Sequence, residues 1–99
     1  MKFQTHNDID IDVIQTHLLD KINTTYSRLV DVFGQPHEGS SMNDVCWDIQ
    51  FPDGVVAIIY NWRNKDGVSE DLNDITKWNV GGFNNVRYTT LNRIKELIS

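Results

Sequence analysis

The sequence predicts one α+β domain over residues 1–99, in which two helices pack on a small, mainly antiparallel sheet. The first observation is an Asp-Gly turn between two alternating apolar segments, 45–51 and 55–62, which is the strongest short-range signal of a β-hairpin. The second is an apolar face of helical period over residues 25–33, followed at once by glycine and proline. A chain of 99 residues has room for one hydrophobic core, so we expect both units to share it.

The composition excludes several classes of protein. Hydrophobic residues make up 39 % of the chain, which is enough for a packed core, and no apolar run approaches the roughly 18 residues of a membrane span. Residues 1–12 contain three aspartates and no apolar stretch, which argues against a signal peptide. The single cysteine, Cys46, excludes an intrachain disulfide and a zinc site made of cysteines. We therefore expect a protein of the cytoplasm.

The chain is acidic, with a net charge of -5, and eight of its 14 acidic residues lie in residues 1–50. An acidic surface repels phosphate backbones, so we expect no direct contact with nucleic acid. The charge suits solubility in general, and it also suits docking onto a basic protein partner.

The N-terminal part has two competing interpretations. Aspartate and aliphatic residues alternate over residues 8–13, which favours a strand with one acidic, solvated face. A helix is the alternative, because Ile11, Ile14, Leu18 and Ile22 also fit a helical stripe.

The segment after it predicts a helix over residues 25–33. Thr24 or Thr25 serves as its N-cap, and Gly34 with Pro36 ends it. A polar loop over residues 37–44 then leads to the hairpin. The buried face of this helix is expected to consist of Tyr26, Leu29, Val30 and Phe33.

The hairpin is expected to turn at residues 52–54. Its first strand alternates, so that one face is buried and the face with Cys46 and Asp48 is mostly solvated. Its return strand is apolar on both faces, which is typical of a strand covered on both sides. Because two short helices cannot supply that cover at this length, we expect a homodimer that buries the remaining apolar surface.

The last third of the chain is expected to contain a polar loop over residues 64–74, a strand over 76–80 and a final helix. Gly81-Gly82 breaks the strand, and Asn84 or Asn85 caps the helix. The buried stripe of that helix is expected to consist of Leu91, Ile94, Leu97 and Ile98.

The glycine pair is one candidate ligand site. Where a strand breaks at Gly81 and Gly82 and a helix opens, free backbone N–H groups meet the positive end of the helix dipole. Arg87 adds a guanidinium that can fork onto a phosphate. The predicted ligand-binding set for a small anionic nucleotide is therefore Gly81, Gly82, Asn84, Arg87 and Trp62, although a plain strand-to-helix turn explains the glycines as well.

Aromatic residues are dense on the predicted strands. Trp47 and Trp78 alternate with polar residues, as core residues do. Trp62 and Tyr60 lie next to a polar loop, so we expect these two to be partly exposed and available for stacking or for a protein interface.

We predict no metal, no cofactor and no catalysis. Asp8, Asp10 and Asp12 match the first ligand positions of a calcium-binding EF-hand loop, but Val13 replaces its glycine and Leu19 its glutamate. The spacing shows no nucleophile–base pair and no set of paired acids.

The histidines and the cysteine give no stronger signal. His6, His17 and His37 are far apart in sequence, and none forms a ligand pair such as H-x-x-x-H, so they are interpreted as surface residues. Cys46 has no basic neighbour that would lower its pKa, so we interpret it as a packed thiol.

Five pieces of sequence occur in an order that is more specific than any one piece. They are INTTY at 22–26, LVDVFGQP at 29–36, CWDIQFPDG at 46–54, AIIYNW at 57–62 and TKWNVGG at 76–82. In this order, over residues 16–90, the chain resembles a family of small proteins of bacteriophages and prophages. The chain departs from the family in two places. The family usually has an aromatic-basic pair before the hairpin, where this chain has Met42-Asn43-Asp44, and usually a histidine where this chain has Asn79.

The resemblance implies a small α+β fold and a phage context, but no established activity. The first expectation is a protein that binds and inhibits a host protein, such as a CRISPR effector, with Asp8, Asp10 and Asp12 entering a basic groove. The alternative is a sponge that sequesters a signalling nucleotide at the glycine pair. We expect Arg87→Ala to weaken only the sponge and reversal of the aspartates to weaken only the inhibitor.

Overall fold

The computed structural model describes residues 1–39, 43–62 and 71–99. Within these ranges six strands form one antiparallel sheet and two α-helices pack on it around a single core, which confirms the predicted α+β class. The strands are β1 (Gln4–Thr5), β2 (His17–Asn23), β3 (His37–Glu38), β4 (Val45–Gln50), β5 (Val56–Tyr60) and β6 (Lys77–Gly82), and the helices are α1 (Tyr26–Phe33) and α2 (Arg87–Ile98).

The strand order is β1-β4-β5-β6-β2, and β3 pairs with the same edge of β4 as β1 does. The predicted hairpin of β4 and β5 is confirmed, with a register that runs from Cys46 opposite Tyr60 to Gln50 opposite Val56. Its turn places Gly54 at a φ of 89°, a conformation that glycine adopts without steric cost. The hairpin therefore forms where the Asp-Gly signal predicts it.

The predicted strand over residues 8–13 is wrong, and so is its helical alternative. The segment forms turns, because the Asp8 carboxylate accepts the Thr5 N–H and the Asp12 carboxylate accepts the Ile14 N–H, each at 2.9 Å. Short acidic side chains compete in this way with the ladder of a sheet. The strand of this region is β2 instead, which buries Leu19.

The predicted helix is confirmed as α1. The Thr25 hydroxyl accepts the Arg28 N–H at 3.2 Å, and the Gly34 N–H donates to the Val30 carbonyl at the other end. Gly34 has a φ of 84°, which suits a residue without Cβ. The helix buries Leu29 and Phe33 on the sheet.

The core lies between the helices and one face of the sheet. Trp47 and Trp78 are fully buried and meet edge to face at a centroid distance of 5.6 Å. The Trp47 indole N–H donates to the Gly34 carbonyl at 2.8 Å, which ties β4 to the end of α1. These two tryptophans are core residues, as their alternation predicts.

The glycine pair does not break the strand. Gly81 and Gly82 are the last residues of β6 and pair with both β5 and β2. Helix α2 follows a single 3-10 turn (Asn84–Val86), and its N-cap is Val86, without a side-chain hydrogen bond. The predicted asparagine cap is therefore wrong, because Asn84 and Asn85 lie inside the 3-10 turn that precedes the helix.

The final helix buries two of the four residues predicted for its inner stripe. Leu91 and Ile94 are buried, and Leu97 and Ile98 are partly buried against the same core. Thr90 is fully buried as well, because its hydroxyl donates to the Val86 carbonyl at 2.9 Å and so leaves no polar group unpaired.

The two predicted polar loops lie partly outside the described residues, at 40–42 and 63–70. The described part of the first loop begins with β3, and that of the second contains a 3-10 turn, Leu72–Asp74, capped by the Asp71 carboxylate. In the described ranges, neither helix is long and apolar enough to cross a membrane.

An ion pair links the hairpin turn to α2. Arg93 donates to both carboxylate oxygens of Asp53, at 2.8 and 2.7 Å, and its guanidinium lies 5.0 Å from the centroid of the Phe51 ring. The hydrogen bonds from Arg93 lower the pKa of Asp53 to about 2. Because this pKa lies below the ordinary 3.8, the pair stabilises the fold above that pH, and the contribution is lost as the pH falls towards 2.

Candidate functional site

The two helices cover only one face of the sheet among the described residues, and the other face, here called the open face, carries the side chains that alternate with the core. Cross-strand partners lie side by side on a sheet, so the register arranges these residues in rows. One row consists of His37, Cys46, Tyr60 and Asn79. The next row consists of Asp48, Ile58, Gly81 and Leu18.

A shallow cavity of about 230 Å³ lies on the open face. It exists partly because Gly81 has no side chain, since a Cβ there would lie 2.7 Å from the Cγ2 of Ile58. Its lining combines apolar and aromatic side chains with several polar ones. The lining residues are Leu18, Ile58, Tyr60, Trp62 and Gly81, together with Thr16, His17 and Asn43.

Exposed apolar side chains border this cavity. Trp62 is 46 % exposed and Leu18 is 47 % exposed, while the ring of Tyr60 is half-buried and meets Trp62 edge to face at 5.2 Å. The partial exposure predicted for Trp62 and Tyr60 is confirmed. Buried Asn61 fixes the backbone just before Trp62, because its side-chain carbonyl accepts the backbone N–H of Val45 at 3.1 Å.

The structure brings together only two of the five residues predicted for a nucleotide. Gly81 and Trp62 line the cavity. Gly82 faces the core, where a Cβ would meet Leu19 and Thr90. Asn84 lines a separate depression with His17, and Arg87 is not among the described residues that line either one. The backbone groups of both glycines belong to the sheet ladder, so the predicted anion site is not assembled.

The three aspartates predicted to meet a partner do not share a strand face. Asp8 and Asp12 close turns with their carboxylates, and Asp10 is exposed between them. The segment nevertheless leads directly into Thr16 and His17 of the cavity wall, so it remains next to the open face.

A second group on the open face joins residues that the sequence keeps apart. His37 lies opposite Cys46 in the β3–β4 pair, and Asp48 follows two residues later on the same face. A ring nitrogen of His37, the Sγ of Cys46 and a carboxylate oxygen of Asp48 all lie within 4.8 Å of one another. The rings of His6 and His37 also meet, at a centroid distance of 4.7 Å. The interpretation of these two histidines as isolated surface residues is therefore wrong.

The chemistry of this group does not activate the thiol. Cys46 is buried, and its Sγ–H donates to the Oδ1 of Asp48 at 3.5 Å. Burial and the neighbouring Asp48 carboxylate raise the pKa of Cys46 well above its ordinary value, so the thiol is protonated at neutral pH. Cys46 is thus the packed thiol that the sequence predicts.

No family model, no curated protein and no solved structure matched the chain. The open face has two features that could bind another molecule. The cavity with Trp62 can receive an apolar group, and the group of His37, Cys46 and Asp48 offers nitrogen, sulfur and oxygen ligand atoms.

Proposed function

We propose that this chain is a non-catalytic binding protein that docks onto a protein partner through the open face. The observation that carries the proposal is the exposure of Trp62 and Leu18, about half each, beside an apolar cavity. Large aromatic side chains of this kind dominate the binding energy of protein interfaces. The cavity of about 230 Å³ is smaller than the roughly 300–1,000 Å³ of small-molecule sites, so it suits one apolar side chain of a partner.

The charge of the chain favours a basic partner. The net charge is -5, and exposed Asp10 lies on the segment that leads into the cavity wall. Opposite charges on the rim of an interface accelerate association and select the partner. The surface that fits best is therefore an apolar side chain surrounded by lysine or arginine.

The resemblance to phage and prophage proteins supports a partner from the infected cell. We infer that the target is a host defence protein, such as a CRISPR effector, whose basic nucleic-acid groove the chain occupies in the cytoplasm. Occupation of that groove inhibits the effector without any chemical step.

We expect Trp62→Ala to weaken binding to the target by about 30-fold or more, which corresponds to about 2 kcal/mol for an interface anchor. The measurement is titration calorimetry against purified host effector complexes, paired with phage plating on cells that carry the same effector. The matched control is Tyr88→Ala, because Tyr88 is 78 % exposed but lies on α2, outside the open face. Asp10→Lys should slow association and leave the fold intact.

The proposal is contradicted if Tyr88→Ala weakens binding as much as Trp62→Ala does, because the partner would then contact helix α2 as well as the open face. It is also contradicted when no effector binds and the chain gives phage no advantage in cells with active defence.

The nucleotide sponge is the second candidate, and one observation favours it: Gly81 and Trp62 line the same cavity. A panel of cyclic and ADP-ribose-type nucleotides, measured by thermal shift, tests it directly. We expect no stabilisation, and we expect Arg87→Ala to have no effect, because Arg87 does not line the cavity in the described structure. Stabilisation that Trp62→Ala removes would establish the sponge instead.

In the absence of a partner we expect the open face to associate with a second copy of the chain. Burial of Leu18 and Trp62 gains about 25 cal/mol for each Å² of apolar area that leaves water. Sedimentation velocity at micromolar concentration should show a dimer for the native chain and a monomer for Trp62→Ala. A clean monomer of the native chain would refute this homodimer.

A further inference from the structure

We propose that His37, Cys46 and Asp48 form a binding site for a divalent transition-metal ion, with zinc as the best fit. This site is separate from the apolar cavity, and it is not needed for the binding function proposed above. It depends on three observations: the identity of the ligand atoms, their separations and the orientation of the His37 ring.

The ligand atoms are an imidazole nitrogen, a thiol sulfur and a carboxylate oxygen. Zinc binds all three kinds, and sites with three protein ligands keep a fourth position open for water. Harder ions such as magnesium and calcium prefer oxygen ligands alone. The mixture of sulfur and nitrogen therefore favours a transition-metal ion such as zinc over magnesium and calcium.

The separations match the edges of a small tetrahedron. Zinc–ligand bonds of about 2.0–2.3 Å place nitrogen and oxygen about 3.3 Å apart and sulfur and oxygen about 3.5 Å apart. The Nε2 of His37 lies 3.2 Å from the Oδ1 of Asp48, and the Sγ of Cys46 lies 3.5 Å from the same oxygen. The third separation, from a ring nitrogen of His37 to Sγ, is at most 4.8 Å, and a zinc site places these two atoms about 3.6 Å apart.

The orientation of the His37 ring points to a cation. Its Nδ1 lies 2.7 Å from the Glu38 carbonyl oxygen, which can only accept, so Nδ1 carries the proton. The Nε2 is buried, faces the Asp48 carboxylate with its Oδ1 3.2 Å away, and makes no hydrogen bond within the described part of the chain. A metal ion bound between Nε2 and Oδ1 would take both atoms as ligands.

His6 contacts both Asp48 and His37 at the edge of the site. Its Nδ1 accepts the Asp48 N–H at 3.3 Å, and its Nε2 lies 3.0 Å from the Gln35 carbonyl, to which it donates. Both nitrogens of His6 are therefore used, and its ring packs on that of His37. Outer groups of this kind orient metal ligands. We assign His6 as a positioning residue and not as a ligand.

The metal ion can reach the site from solvent, and its binding releases one proton. The Cys46 thiol is buried, but the His37 side chain is 39 % exposed, so an ion enters beside His37. The thiol loses its proton to solvent as the metal–sulfur bond forms. No oxidant or reductant takes part.

The test uses the full chain, freed of metal with a chelator and titrated with Co²⁺ as a spectroscopic probe. We expect one equivalent to bind, with a thiolate-to-cobalt charge-transfer band and the strong visible bands of a tetrahedral ion. Zn²⁺ should displace the Co²⁺ and abolish both. A chain that shows no charge-transfer band with Co²⁺ overturns the proposal, whatever the variants do.

The variants separate ligands from positioning groups. Cys46→Ser should abolish the charge-transfer band, and Asp48→Asn and His37→Ala should each lower the affinity by at least about 100-fold. His6→Ala should lower it by about 10–100-fold and keep the band. Asp31→Asn, an exposed carboxylate on α1, is the matched control and should bind as the native chain does.

Circular dichroism of each variant without metal shows whether it is folded. Asp48→Asn changes no volume, so it tests the site even if Cys46→Ser or His37→Ala unfolds. Binding by folded Asp48→Asn and His37→Ala with native affinity would place the ion elsewhere. The proposal is then wrong, and the close approach of His37 and Asp48 is an ion pair of a doubly protonated ring.

Discussion

Trp47→Ala is expected to lower the free energy of unfolding by about 3–5 kcal/mol, the usual cost of truncating a large aromatic residue in a core. Trp47 is fully buried and contacts the rings of both Tyr26 and Trp78. Its indole N–H also satisfies the Gly34 carbonyl at 2.8 Å, so the substitution removes a hydrogen bond as well as packing. Because small domains are stable by about 5–15 kcal/mol, the variant should be near the limit of folding.

The measurement is urea unfolding followed by far-ultraviolet circular dichroism. Trp47→Phe keeps most of the ring and loses the donor, so its cost should be intermediate. Tyr88→Ala is the matched control, since Tyr88 is 78 % exposed on α2 and its stability change should stay within about 0.5 kcal/mol. Equal losses for Trp47→Ala and Tyr88→Ala would contradict the packing described here.

Gly82→Val is the second large effect, with an expected loss of about 1–3 kcal/mol from overpacking. Neither Gly82 nor Gly81 has a positive φ, so the need for glycine is steric. A Cβ at Gly82 would lie 3.0 Å from the Cδ1 of Leu19 and 3.3 Å from the backbone oxygen of Val56. The backbone oxygen is fixed in the sheet and cannot yield.

Thermal unfolding of a double variant checks this explanation. Leu19→Ala alone should destabilise the fold, but combined with Gly82→Val it should cost less than the sum of the two, because the smaller side chain makes room. Gly81→Ala should destabilise the fold as well, since its Cβ would lie 2.7 Å from the Cγ2 of Ile58 and 3.2 Å from the backbone oxygen of His17. Strict additivity of Gly82→Val and Leu19→Ala would show that the two sites do not share space.

The candidate site was only partly predictable. Trp62 follows an apolar strand and precedes a polar loop, and this pattern correctly predicts its exposure. The sequence predicts that Gly81 offers a free backbone N–H to a ligand. In the structure, Gly81 lines the cavity because it lacks a Cβ. The sequence predicts part of the group of His37, Cys46 and Asp48, because Cys46 and Asp48 are two residues apart on a strand and must share a face.

The sequence does not show which strands pair at the edge of β4, and this pairing brings the histidines to the group. His37 reaches Cys46 only because β3 pairs with the edge of β4. His6 reaches Asp48, 42 residues away in sequence, because β1 occupies the same edge. Spacing along the chain contains no information on which edge a two-residue strand selects. The sequence therefore suggests isolated histidines where the fold makes them neighbours.

The α+β class, helix α1 and the β4–β5 hairpin follow from local sequence patterns. In these elements a local pattern and its caps agree: Thr25 and Gly34 bound the helix, and Asp53-Gly54 turns the hairpin. Three features were visible only in the folded chain: the turns of residues 8–13, the place of the glycine pair inside β6, and the sheet face that the helices leave uncovered among the described residues. Residues 8–13 form turns because the carboxylates of Asp8 and Asp12 bond nearby backbone N–H groups. The glycine pair lies inside β6 because β6 pairs with β2, which is distant in sequence, and such non-local pairing overrides local propensity.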